Sequence, residues 1–401
     1  MRRLVLAAAL LFAAEGLATA AEGEAAPPAA PAFPVNLRPL LAVAAGLEGE
    51  LPYALPGATG LAPYRAPRLS TMVVSRFGLR AQLAEWIDAE SEFEANAGYH
   101  GASAWEGQAA LSVRNQLIRF RGALWRVEVG RVTDEASVDF YSQHVADFLV
   151  ADPFTRDPFL YTGYNRGNGL FAAWQPAPGL QLGATLNATN PVALTGSLPI
   201  GGTFSPFERF YIQPYQAVNT GANHYPDDSF HMYMVAPSVL WAAGPVEVKA
   251  ELQGYQVDTD TTRPSDFYIY GFNARASARA KLWGGKLQPF ANLAFDRNDV
   301  FDQVTRQLAP DKYISFCSGI GADFAFAGNN GVGAQYVRIQ YRQGGGVITV
   351  LQYANLGATF WLTPNVSLGA RLAWQVRGEI NSGNGDQGDV GAFATARAVV
   401  F

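Results

Sequence analysis

Hydrophobic and polar positions alternate with period two through most of the chain. In FNARASARAKLW, residues 272–283, Phe272, Ala274, Ala276, Ala278, Ala280 and Leu282 share one parity, and Asn273, Arg275, Ser277, Arg279 and Lys281 the other. That period belongs to an extended strand whose successive side chains point to opposite faces, here one apolar and one polar and largely cationic. VSLGARLAWQVR, 366–377, repeats the scheme, with Val366, Leu368, Ala370, Leu372, Trp374 and Val376 against Ser367, Gly369, Arg371, Ala373, Gln375 and Arg377. Ile314, Phe316, Ile320, Ala322, Phe324 and Phe326 likewise oppose Ser315, Cys317, Gly319, Gly321 and Asp323. Val246, Val248, Ala250 and Leu252 oppose Glu247, Lys249, Glu251 and Gln253, and Phe77, Leu79, Ala81 and Leu83 oppose Arg76, Arg80 and Gln82. No amphipathic helix of convincing length lies between these segments.

The connections are of two kinds that alternate along the chain. Short ones fall near Glu85–Asp88, Arg119–Gly122, Gln175–Gly179, Ala242–Pro245, Gly284–Gly285, Ala327–Gly331 and Thr363–Asn365, rich in the residues that turns need. Long or polar ones fall near 49–69, 98–105, 133–168, 189–229, 258–266, 298–312, 343–346 and 378–388. Tight turns at one end and long loops at the other define an antiparallel up-and-down transmembrane β-barrel, all-β in class. Fifteen segments run from about Ser70 to Phe401, and NLRPLLAVAAGLEGE, 36–50, supplies a sixteenth. If 36–50 is instead a short helix plugging the lumen, a fourteen-stranded barrel is the fallback, bacterial barrels having an even number of strands. Trp86, Trp125, Trp174, Trp241, Trp283 and Trp361 all sit beside short turns, and only Trp105 and Trp374 do not, as an interfacial aromatic belt requires.

Composition narrows the reading. With 49% hydrophobic and 16% charged residues, 41 glycines and 12% aromatics, the chain suits many strands and turns. The single cysteine, Cys317, excludes an internal disulfide, and a formal net charge of -5 gives no footing for a nucleic-acid partner. Residues 1–20 read as a secretory signal: Arg2 and Arg3, an apolar run from Leu4 to Ala14, and Ala18-Thr19-Ala20 as the cleavage site. Residues 21–35 are an Ala/Pro-rich tether, and 36–401 the barrel. Alanines at 274, 276, 278 and 280 fill a soluble core poorly but suit acyl chains, so the apolar face is expected against lipid and the cationic face against a water-filled lumen.

DVGAFATARAVVF closes the chain with Phe401, and Val399 and Phe393 share its parity, although Arg397 does too. This end resembles the C-terminal strand that bacterial outer-membrane porins present to the barrel-assembly machinery. RFRGALWRVEVGRVTDEAS, 119–137, is similar to a strand and loop of the group that includes the phosphate-selective porins O and P. The resemblance implies location in the cell outer membrane, a channel for small hydrophilic solutes or ions, contact with outer-membrane lipids, a homotrimer, and no cofactor or metal.

Parity expects Arg76, Arg80, Arg114, Arg126, Lys249, Arg275, Arg279, Lys281, Arg338, Arg342, Arg371 and Arg377 to line the lumen. It places Glu90, Glu92, Glu94, Glu128, Glu247, Glu251, Asp296 and Asp323 there as well. Twelve bases against eight acids lean toward weak anion preference, unless cross-strand pairs cancel them. Residues 133–168 are too long for a simple connector and carry Asp134, Glu135, Asp139, Asp147, Asp152 and Asp157. The resemblance implies that this loop folds inward as an acidic constriction facing the wall arginines, whereas 189–229 is expected outside. The competing classes are a lipid-modifying barrel enzyme of phospholipase type and a non-conducting structural barrel. For the enzyme, His100, His144, His224 and His231 all fall in or beside outer loops, and only NHYPDD, 223–228, offers even a sparse polar cluster, with Asp227 and Asp228 as weak Ca²⁺ candidates.

Overall fold

The computed structural model describes residues 36–54, 68–98, 110–133, 140, 142–145, 166–189, 230–259, 267–302, 313–343, 347–380 and 387–400. The strands are β1 (Asn36–Ala54), β2 (Arg68–Ala84), β3 (Ile87–Gly98), β4 (Ala110–Arg121), β5 (Trp125–Thr133), β6 (Arg166–Ala177), β7 (Leu180–Thr189) and β8 (Phe230–Ala243). They continue with β9 (Val246–Thr259), β10 (Phe267–Ala280), β11 (Leu287–Asp302), β12 (Tyr313–Ala327), β13 (Asn330–Gln343), β14 (Val347–Thr363), β15 (Val366–Ile380) and β16 (Gln387–Val400). All sixteen form one closed barrel in sequence order, sealed where β1 pairs antiparallel with β16. Residues 36–50 therefore begin a wall strand and do not form a plug. The barrel belongs to the unit Arg38–Phe401.

Short turns close one end. Pro178-Gly179 and Gly328-Asn329 are two-residue links in which Gly179 (φ 77) and Gly328 (φ 56) take the positive backbone angles that a tight hairpin needs. At Trp283–Gly285 a 3-10 turn holds Trp283 itself at φ 52 and leaves its indole 71% exposed. Trp86, Trp125, Trp174 and Trp241 are exposed at the same end, so the belt expected from the sequence is present there.

The alternation sorts the two faces. Phe77, Leu79, Ile118, Val235, Leu252, Phe272, Leu293, Phe316, Ile320, Leu356, Leu368 and Leu372 are all exposed on the outside. An apolar surface that encircles the molecule is not tolerated in water, and a closed sheet satisfies its own backbone groups in lipid. The fold is a transmembrane antiparallel barrel. Among the described residues no helix is long and apolar enough to cross a membrane.

Register departs from simple parity at a few bulges. Between β3 and β4 the pairing steps from Glu92↔Asn115 to Phe93↔Val113, leaving Arg114 as the extra residue. Between β14 and β15 it steps from Gln352↔Arg377 to Tyr353↔Gln375, leaving Val376 extra. Each such step exchanges the faces of every residue beyond it.

Candidate functional site in the barrel lumen

Strand β5 ends at Thr133, and Phe140 to Val145 next meet the inner wall of β9 to β15. Strands β5 and β13 lie half a turn apart around the sixteen-stranded ring, so this segment reaches the wall opposite its origin. The backbone N–H of Phe140 donates to Asn292 Oδ1 (3.1 Å), and Asn292 Nδ2 donates back to the Phe140 carbonyl (2.5 Å). The Ser142 hydroxyl donates to Asp323 Oδ1 (2.5 Å), the Gln143 N–H to Asp323 Oδ2 (2.9 Å) and the Ser142 N–H to Gln335 Oε1 (3.2 Å). Arg371 donates to the Val145 carbonyl (2.8 Å). Residues 143–145 form a turn in which the Val145 N–H donates to Ser142 Oγ (3.1 Å).

The wall is shaped for this segment. A Cβ on Gly333 would collide with the Ser142 and Asp323 side chains, one on Gly331 with the His144 ring, and one on Gly357 with the His144 backbone carbonyl. Phe140, Ser142 and Val145 are buried as a result. Lys249 Nζ and the Arg279 guanidinium lie 4.6 and 4.5 Å from the centroid of the Phe140 ring, whose negative face attracts both. His144 is half-buried, and loss of solvent lowers its pKa against the opposing pull of Asp323. Ser142, His144 and Asp323 do not form a nucleophilic relay: the hydroxyl is fully buried and is spent on the carboxylate rather than on the imidazole.

The remaining inner wall carries ion pairs. On β2 to β5, Arg80 holds Glu90 (2.5 Å), and Arg119 reaches Glu128 (2.6 Å), Asp88 (3.0 Å) and Glu90 (3.9 Å). Arg126 lies 3.5 Å from Glu128 and over the Phe171 ring, and Arg121 pairs with Asp88. Arg80, Arg119, Arg121 and Arg126 thus meet Asp88, Glu90 and Glu128 there, and Asn115 donates to both Glu90 and Glu92. On β9 and β10, Arg279 and Lys281 share Glu247, and Arg275, only 4% exposed, faces Glu251 across the strand pair. With Lys249, that wall bears four cations against two carboxylates, and the excess lies where Phe140 docks.

Arg76, Arg80, Arg126, Lys249, Arg275, Arg279, Lys281 and Arg371 lie on the parity opposite the exposed apolar side chains of their segments. The register corrects three other expectations. Arg338 is exposed on the outer face of β13, alongside Val332 and Tyr336, because β13 keeps one register while its apolar parity switches halfway along. Arg342 pairs with Ile314 and Arg377 with Gln352, both positions of the outer face. For Arg377 the Val376 bulge makes the exchange. Arg114 is the extra residue of the β3/β4 bulge. The side chains of Arg114, Arg342 and Arg377 lie outside the described residues, as do those of Glu94 and Asp296. The acids Asp134, Glu135, Asp139, Asp147, Asp152 and Asp157 also lie outside them, as do the signal and tether, Phe401, 189–229, His100, His224, Asp227 and Asp228.

Sequence reasoning missed Asp88, Arg119 and Arg121, which it assigned to turns. Strand β4 runs on to Arg121, and the alternation of Asn115, Leu117, Arg119 and Arg121 on one face was the available signal. It also left out Phe140, Ser142 and Asn292, whose role arises from contacts across the ring. Cys317, expected to present its thiol to the lumen, is on the inner face but fully buried.

No protein-family profile and no curated protein matches the chain. Solved structures share its fold. The outer membrane channel DcaP of Acinetobacter baumannii superposes with a TM-score of 0.57 at 11% identity, over 91% of this chain and 97% of that one. OprB of Pseudomonas putida gives 0.55 at 12% identity, over 91% and 94%. An anion-selective porin from Comamonas acidovorans gives 0.52 at 15% identity, over 91% and 100%.

Proposed function

We propose that this chain is an outer-membrane porin, a water-filled diffusion channel for small hydrophilic solutes or ions with weak anion preference. The observation that carries the reading is the docked segment Phe140 to Val145. A structural barrel has no need of a chain crossing its lumen to a wall built of glycines and buried polar anchors. A diffusion channel does, because such a segment narrows the passage while the rest of the lumen stays open. Weak anion preference draws support from the cation excess on β9 and β10, where Lys249 and Arg279 flank Phe140. The ion pairs on β2 to β5 keep that preference small. The resemblance of 119–137 to the phosphate-selective group makes phosphate-bearing solutes the first to try, and homotrimer formation and recognition of the C-terminal strand by the assembly machinery belong to the same proposal.

The test is purified protein in planar bilayers. Stepwise single-channel conductance with a reversal potential of anion sign across a KCl gradient is expected. Absence of any conductance, with folded barrel present, overturns the proposal in favour of a non-conducting barrel.

A further inference from the structure

The phenyl ring of Phe140 stands where an anion would be expected. Register puts its surroundings on two neighbouring rungs of the inner wall. Lys249, Ser277 and Asn292 are paired across β9, β10 and β11, and Glu247, Arg279 and Phe290 form the next but one row of partners toward the short turns. Asn292 holds the Phe140 backbone through both its amide atoms, and the ring lies against Lys249 and Arg279 on the two adjacent strands. Ser277, small and buried between Lys249 and Asn292, leaves room for it.

An ammonium and a guanidinium, 4.6 and 4.5 Å from one centroid, converge on the volume the ring fills. Two cations aimed at one point are the usual arrangement for holding a carboxylate or phosphate. Glu247 does not take that place: it is divided between Arg279 and Lys281. The ring is 5% exposed, so no solute stacks on it from the lumen, and its effect is to cover the pair. A ring face attracts a cation through its quadrupole, more weakly than an anion hydrogen-bonded to the same group. The ring also carries no net charge, so the field of Lys249 and Arg279 still reaches the lumen. A conducting pore needs sites that a solute can leave, and an uncovered pair would retain the anions it attracts.

We infer that Phe140 is a specificity-determining residue of the channel: its ring occupies an anion-binding position between Lys249 and Arg279 and turns a tight site for phosphate or carboxylate groups into a diffuse cationic field. The inference rests on the proposed channel and names one way in which its anion preference is kept weak. It separates two roles of Phe140. The backbone amide and carbonyl tether the segment to Asn292, while the side chain governs what the two cations can bind.

The experiment titrates inorganic phosphate into KCl on one side of planar bilayers holding the full chain as wild type, F140A, F140A/K249Q/R279Q or N292A. F140A keeps the backbone bonds to Asn292 and vacates the ring. The phosphate concentration that halves its chloride current is expected to fall about tenfold below that of wild type, and its anion-to-cation permeability ratio to rise. The gain should vanish in F140A/K249Q/R279Q. N292A loosens the segment with the ring intact and should not reproduce it. Equal phosphate block in F140A and wild type overturns the inference. So does a gain that survives removal of the two cations, or one that N292A matches, since release of the segment would then be its cause. Equilibrium dialysis of labelled phosphate against the same proteins in detergent repeats the comparison without conduction. A wild type that fails to conduct refutes the channel, whereas equal phosphate binding by F140A and wild type refutes the role of the ring.

Discussion

Removing the Asp323 carboxylate tests the docked segment at its strongest anchor. The carboxylate accepts from the Ser142 hydroxyl and from the Gln143 N–H, and hydrogen bonds to a charged group contribute ~1.5–3 kcal/mol each. Asp323→Ala therefore weakens docking by ~3–6 kcal/mol, the lower figure being ~100-fold in the docking equilibrium. What remains is the neutral pair between Asn292 and Phe140 at ~0.5–1.5 kcal/mol per bond, the single bond from Arg371, and the flanking cations. Single-channel recording in planar bilayers should show a larger unitary conductance, or frequent flicker between two levels as the segment leaves and returns. Asp323→Asn, which keeps one acceptor oxygen, should fall between. If folded Asp323→Ala conducts with the amplitude and noise of wild type, the segment does not restrict the passage and the assignment of its role is wrong.

Gly357→Ala drives a methyl into the His144 backbone carbonyl and should raise conductance in the same direction, read in the same assay, although no charge changes. Lys249→Gln with Arg279→Gln removes the surplus on the β9 and β10 wall and should shift the KCl-gradient reversal potential toward zero or cation preference. Burial holds His144 neutral with its pKa below the ordinary 6.5, so the docked state binds fewer protons than a released one. Docking is then at full strength above about pH 6.5 and weakens as pH falls below it, and acid-induced conductance noise should be reduced in His144→Phe. The Cys317 thiol, fully buried, should resist a small charged thiol reagent in the folded protein and react once the barrel is denatured.

The barrel itself could be read in the sequence because a closed sheet between two solvents imposes period two on every strand. Phe272 to Leu282 and Val366 to Trp374 display that period without interruption, and the turns between them are local. The lining was legible only in part. Parity has no memory across a bulge, so Arg377 changed faces at Val376, and an upper strand facing headgroups looks like a lower strand facing the lumen, so Arg338 was misplaced. Arg119 was lost because strand ends blur into turns. The contacts of Asn292, Asp323 and Arg371 with the lumen segment were beyond reach, since no local pattern marks a glycine as room for a side chain from the other side of the ring.

The anchors of the lumen segment come late in the chain: its partners are 152, 180 and 226 residues downstream at Asn292, Asp323 and Arg371. The portion after β5 cannot take its place until β11 to β15 have been synthesised and joined edge to edge. Biogenesis thus has a built-in order, in which wall completion precedes aperture formation, and a chain truncated before β15 would insert a sheet with its bore still unset.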